Sequence, residues 1–282
     1  MEFKVLIENT LLDKYKDKYI CEHGLSIYIE FEDKKILLDA GRTGAFISNA
    51  EKLGVELNQV DFAVLSHGHY DHSDGFVKFL DLYKKDIYGL EEITGDYYSG
   101  SGGKIHYIGM QKEMYSNNRD KFILLNGVTK IYENIYVVPH NTKGLEKIGE
   151  RCKLYKMRDK EYILDDFSHE LSLVFDTEKG LVVFNSCSHA GIINIHKEME
   201  AIFKGKKIYA FVGGLHMKSD MNGSEICMYS DDELEEICNY LVGKKINKLY
   251  TCHCTGNIAF NKIKCIMKDK VEYISTGESF II

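Results

Sequence analysis

The segment Ser66-His67-Gly68-His69-Tyr70-Asp71-His72-Ser73-Asp74-Gly75 follows directly on the apolar run Phe62-Ala63-Val64-Leu65. Four side chains able to ligate a metal, His67, His69, Asp71 and His72, fall within six residues. The short apolar run reads as a buried strand that ends where the histidines begin. Residues two apart on extended backbone project to the same side, so His67 and His69 share a face. Asp71 and His72 follow as the chain turns, where they can face a second ion beside the first. Imidazole and carboxylate together suit zinc, iron or manganese and do not single out one of them. A lone histidine is usually a surface or hydrogen-bonded core residue. Ligand types repeated at this spacing after a strand are a much more specific signal.

On either side of this segment the chain alternates strand and helix patterns. Lys4 to Ile7 reads as a strand, and Leu25–Phe31 with Ile36–Ala40 as a hairpin across a polar turn. Helical spacing follows over 44–53 and 74–83. The last third repeats the pattern. It has a hairpin over 171–184 turning at Glu178-Lys179-Gly180, a helix from Ile192 to Phe203, and the strand Ile208–Val212 running into Gly213-Gly214-Leu215-His216. Ser230 with Glu233 makes a capping box for a further helix. Leu249 to His253 reads as a strand ending in histidine. Two hairpin-plus-αβ halves predict an α+β fold of paired sheets flanked by helices. No linker divides them, so a single domain over 1–282 is expected. Residues around 85–160 form a less legible insertion, whose Gly-, Ser- and Tyr-rich stretch 94–104 has the composition of a substrate-facing loop.

Composition narrows the class. The chain has 282 residues, 44% hydrophobic and 28% charged, an ordinary globular balance. No stretch reaches the roughly 18 uninterrupted apolar residues of a spanning helix. The first residues carry charge where a signal peptide has its apolar core, so a cytoplasmic protein is expected, with no membrane association. A net charge of -7 argues against nucleic acid as a partner but leaves room for an anionic small molecule in a locally positive pocket. Eight cysteines spread along such a chain read as thiols rather than a disulfide framework. Cys21, Cys152, Cys227, Cys238 and Cys265 read as ordinary. Cys187, Cys252 and Cys254 stand beside His189 and His253. On an extended strand Cys252 and Cys254 would point opposite to His253 and pack.

The hexapeptide His67-Gly-His-Tyr-Asp-His72 resembles the His-x-His-x-Asp-His signature of the metallo-β-lactamase fold superfamily, and Ile36-Leu-Leu-Asp39-Ala-Gly resembles its early strand-ending aspartate motif. The resemblance runs over nearly the whole chain. It implies a four-layer αββα sandwich with metal held at one edge between the sheets. The wording Cys187-Ser-His-Ala-Gly-Ile, Gly213-Gly-Leu-His216 and His253-Cys-Thr-Gly is similar to a narrower subgroup. That subgroup comprises the 7,8-dihydropterin-6-yl-methyl-4-(β-D-ribofuranosyl)aminobenzene 5'-phosphate synthase-like metal-dependent hydrolases.

What the resemblance implies about the site is a pair of divalent ions, zinc foremost, with manganese or iron as alternatives. His67, His69 and His189 would take one ion, and Asp71, His72 and His253 the other. His169 rivals His189 as the third histidine. No aspartate stands after the strand ending at Asn185-Ser-Cys, so either the Cys187 thiolate or a water takes the usual bridging place. Asp71 is the expected catalytic residue, His216 a substrate contact, and Lys104 and Arg158 candidate anion contacts. The implied activity is hydrolysis or phosphate-ester processing by a metal-bound hydroxide on a small, phosphorylated or otherwise anionic, pterin-related substrate. A di-iron redox enzyme, a nuclease and a non-catalytic binding protein are the alternatives.

Overall fold

The computed structural model describes residues 1–221 and 223–282, and all of these but the side chain of Glu146 are treated below. They divide into two compact units. One comprises residues 1–95, 108–126 and 274–282, the other 96–107 and 127–273. Among the described residues no helix is long and apolar enough to cross a membrane.

The first unit is built on a seven-stranded mixed sheet, ordered Ser279–Ile281, Glu2–Ile7, Ser26–Phe31, Lys34–Leu38, Phe62–Val64, Ile87–Leu90 and Phe122–Leu125. The first three pairings are antiparallel and the last three parallel. The central strands carry side chains buried on both faces, as Ile36, Leu37, Phe62, Ala63 and Val64 show. Helices Ala45–Lys52 and Phe76–Tyr83 make the parallel crossovers and bury Phe46, Phe76 and Phe79.

The second unit repeats the scheme. Its seven-stranded sheet runs Val271–Tyr273, Lys248–Thr251, Ile208–Val212, Gly180–Phe184, Leu171–Thr177, Ile135–Pro139 and Thr129–Tyr132. Three parallel pairings are followed by three antiparallel ones. Helices Ile192–Ile202, Asp231–Gly243 and Asn257–Met267 accompany the parallel strands. The Ser230 capping box is formed in full, with Oγ accepting from the Glu233 amide and Glu233 accepting from the Ser230 amide.

The expected hairpins and crossovers are present in both halves. Two mixed sheets with flanking helices are the fold class the sequence pattern implies. The stretch 94–104 is more ordered than its composition suggests. Tyr97–Ser99 is a strand of a separate four-stranded sheet with His106–Tyr107, Leu154–Arg158 and Glu161–Leu164. Gly102 and Gly103 provide the positive φ for the turn beside it.

Candidate functional site

In the first unit the strand Phe62–Val64 delivers the chain to Ser66, and a single helical turn, Tyr70–Ser73, carries Asp71 and His72. His67, His69, Asp71 and His72 are all buried. The His67 ring lies 4.6 Å from that of His69 and 4.2 Å from that of His72, centroid to centroid. The shared face expected of the two histidines is therefore present.

Asp39 organises this group. It follows the strand Lys34–Leu38 at φ 57°, a left-handed conformation that aspartate tolerates better than most residues. Its Oδ1 accepts the Ser66 amide at 2.8 Å, and its Oδ2 accepts the Ser66 hydroxyl at 2.7 Å and His72 Nδ1–H at 2.7 Å. The Ser66 hydroxyl spends its proton on Asp39, so its oxygen must accept from His67 Nδ1, 2.8 Å away. Both imidazoles are thereby set in the tautomer with a lone pair on Nε2, the form that binds a cation. Asp71 Oδ2 lies 3.7 Å from His72 Nε2 and 3.2 Å from Nε2 of the half-exposed His23.

The second unit has a group of the same kind. His189 is buried after the strand Gly180–Phe184, and its Nδ1–H donates to Glu170 Oε1 at 2.7 Å. Glu170 also accepts the amides of His189 and Ala190. Burial alone would raise the Glu170 carboxyl, but His189 and the converging donors bring it down to about 2. Burial and the neighbouring His216 ring, 4.3 Å away, push His189 below its ordinary value, so it is neutral with its lone pair on Nε2. His216 Nδ1 is buried without a hydrogen-bond partner. The ligand atoms of Cys187, His189 and His216 lie within 4.8 Å of one another, as do those of Cys187, His253 and Cys254. His169 is stacked on Tyr97 at 3.9 Å, with Nε2 3.2 Å from Asp165 Oδ2. Lys104 and Arg158 are exposed on the small sheet and its approach.

Two features differ from the sequence expectation or extend it. The strand before His253 stops at Thr251, and residues His253–Thr255 form a 3-10 turn with His253 at φ 53°. Strand alternation therefore does not govern Cys254, whose sulfur comes round to Cys187 and His253 rather than packing away. Burial raises this thiol, but hydrogen bonds from Cys187 and His216 and the nearby imidazoles hold it well below the usual range. Glu170 has no mark in the sequence, because a carboxylate one residue after His169 carries no spacing signal.

A buried donor set of imidazoles fixed in the Nε2 tautomer by carboxylates fits a divalent metal, since a ligand histidine needs a carboxylate or carbonyl behind it. Residues 19–101 match the family described as the metallo-beta-lactamase superfamily. The chain is similar along its full length to the crystal structure of Tm1679, a metal-dependent hydrolase of the beta-lactamase superfamily. The TM-score is 0.80, the identity 29%, and the match covers 100% of this chain and 99% of that one.

The chain belongs to the metallo-β-lactamase superfamily.

It is 30% identical to the protein MJ0448 of Methanocaldococcus jannaschii over 92% of this chain and 93% of the relative. It is also 27% identical to the 7,8-dihydropterin-6-methyl-4-(beta-D-ribofuranosyl)-aminobenzene-5'-phosphate synthase of the same organism, over 94% and 91%. The enzyme class expected from the sequence, a metal-dependent hydrolase of the metallo-β-lactamase superfamily, stands with these likenesses.

Proposed function

We propose that this hydrolase cleaves an ester or phosphate ester in a small anionic substrate, with two divalent ions, zinc foremost, as cofactors. Its ligands are His67, His69, Asp71 and His72 in the first unit and His189 and His253 in the second. The observation that carries the reading is the tautomer lock. Asp39, through Ser66 and directly, and Glu170 each hold an imidazole with Nε2 presented for coordination. A merely structural histidine cluster has no need of that arrangement. When bound, the ions lower the pKa of a water from 15.7 towards about 7 and polarise the oxygen of the group attacked.

The chain's own residues do the rest. Asp71 takes the proton lost from the attacking water at Oδ2 and passes it to His23 Nε2, 3.2 Å away. The His23 side chain is 53% exposed and so connects Asp71 to solvent. His216 contacts the substrate with its buried Nδ1. A phosphorylated, pterin-related substrate is preferred because the name of the relative at 27% identity is that of a dihydropterin compound carrying a 5'-phosphate.

The test is metal content by elemental analysis on protein purified without chelator, followed by hydrolysis of phosphomonoesters, phosphodiesters and lactones. About two equivalents per chain and at least one hydrolysed class are expected. His69→Ala should abolish turnover while the circular dichroism spectrum stays unchanged. Undiminished activity in chelated His69→Ala protein would overturn the mechanism.

A further inference from the structure

Cys187 is the third residue of the connection from the strand Gly180–Phe184 to the helix Ile192–Ile202, and His253 and Cys254 begin the 3-10 turn after Thr251. All three belong to the second unit, and the two sulfurs and an imidazole nitrogen lie within 4.8 Å of one another. Two sulfurs bound at about 2.3 Å on one tetrahedral ion are about 3.8 Å apart. The group thus needs to close by no more than about 1 Å to share an ion. The surroundings are shaped around the Cys254 sulfur. The His216 backbone N–H donates to it at 3.3 Å. At Gly214 a side-chain Cβ would stand 2.4 Å from it, so only glycine leaves the thiol its place. Gly213 is fixed as well, at φ 138°, where a Cβ would strike the Asn185 carbonyl oxygen at 1.8 Å. The Gly213-Gly214 pair therefore seats the Cys187 and Cys254 connections against each other.

We propose that Cys254 and Cys187 are sulfur ligands, which with His253 make a Cys2His cation site. This rests on the hydrolase reading above and deepens it by adding two thiolates to the ion that His253 holds. Two sulfurs with one nitrogen form a donor set of the kind that zinc accepts in proteins. Soft thiolates favour zinc over manganese or magnesium. As the ion binds, each S–H bond breaks heterolytically. The electron pair stays on sulfur and forms the metal–sulfur bond, and the proton leaves to solvent. Cys254 then gives up its contact with the Cys187 carbonyl oxygen, 3.6 Å away.

The test uses the full chain with cobalt(II) in place of the native ion. A near-ultraviolet sulfur-to-cobalt charge-transfer band is expected, reduced about twofold in Cys254→Ser and in Cys187→Ser, absent in the double variant and unchanged in Cys21→Ser. Should the variants fail to fold, alkylation of the wild-type protein answers the question by mass spectrometry. Bound zinc should slow labelling of Cys254 at least tenfold, and chelator should restore it. A cobalt-loaded, hydrolytically active protein without the band, or Cys254 alkylated equally fast with and without zinc, overturns the sulfur site and leaves the hydrolase reading intact. A band that follows the cysteine variants in a protein that cleaves no ester upholds the sulfur site and removes the hydrolase reading.

Discussion

Asp39 shows how one residue can prepare a site without touching the ion. It is fully buried and receives three donors on two oxygens. In Asp39→Asn the backbone is retained, since asparagine also tolerates positive φ. One oxygen becomes an NH2 donor facing donors, so either the Ser66 amide or the Ser66–His72 pair loses its acceptor. Metal affinity should fall by about 10- to 100-fold, the usual effect of removing a partner behind a metal-binding histidine. Competition with a chromophoric chelator measures it, and an unchanged affinity would show that the Asp39 network does not orient the ligands. At this scale the sequence was most legible within His67 to His72, where ligands are consecutive in the chain and the spacing itself is the signal. It was least legible for Cys254 and Glu170. The direction of Cys254 depends on where a strand ends, a difference of one or two residues that composition does not resolve. The role of Glu170 depends on a fold that brings it back to His189, 19 residues on.

Among the elements, those with strong local patterns were readable and those without were not. The strand Ile208–Val212 and the helix from Ile192 have the expected limits to within a residue. Both combine a clear apolar period with glycine at a boundary. The short strands around 97–107 lack that period and are held by cross-strand pairing, such as Tyr98 with Tyr107 and with Tyr155, which no local window contains. The helix Asp231–Gly243 is the element whose start the sequence specifies best. Its capping box satisfies two backbone donors at once. Ser230→Ala should cost about 1 kcal/mol, read as a lower urea midpoint at unchanged slope. A midpoint shift near zero would mean that solvent serves those amides equally well.

For the molecule as a whole, pH dependence offers a check away from the ligands. Glu198, on the helix Ile192–Ile202, accepts from His140 Nδ1, from the amides of Asn141 and Thr142 and from the Thr142 hydroxyl. Burial alone would raise this carboxyl, but His140 and the donors beside it lower it below its ordinary value. A lowered carboxyl stabilises the folded state fully above its unfolded pKa, about 4.3, and loses that contribution as pH falls through the lower folded value. The Glu198→Gln variant should therefore unfold more easily than wild type at neutral pH, with the gap narrowing steadily on acidification. Equal gaps at pH 7 and pH 3 in urea titrations would contradict the assignment.

The first unit is discontinuous in the chain. Residues 274–282 rejoin it after the second unit has been laid down, and Ser279–Ile281 pairs with Glu2–Ile7 while Phe280 stacks on Phe3 at 5.0 Å. During translation, then, the outer edge of Glu2–Ile7 waits unpaired while more than two hundred residues are synthesised. An apolar strand edge left open for that time is a template for association with other nascent chains. Deleting residues 274–282 should make that wait permanent. The product is expected in the insoluble fraction on expression, and a soluble, monomeric truncation would show that the edge is guarded by something other than its final partner.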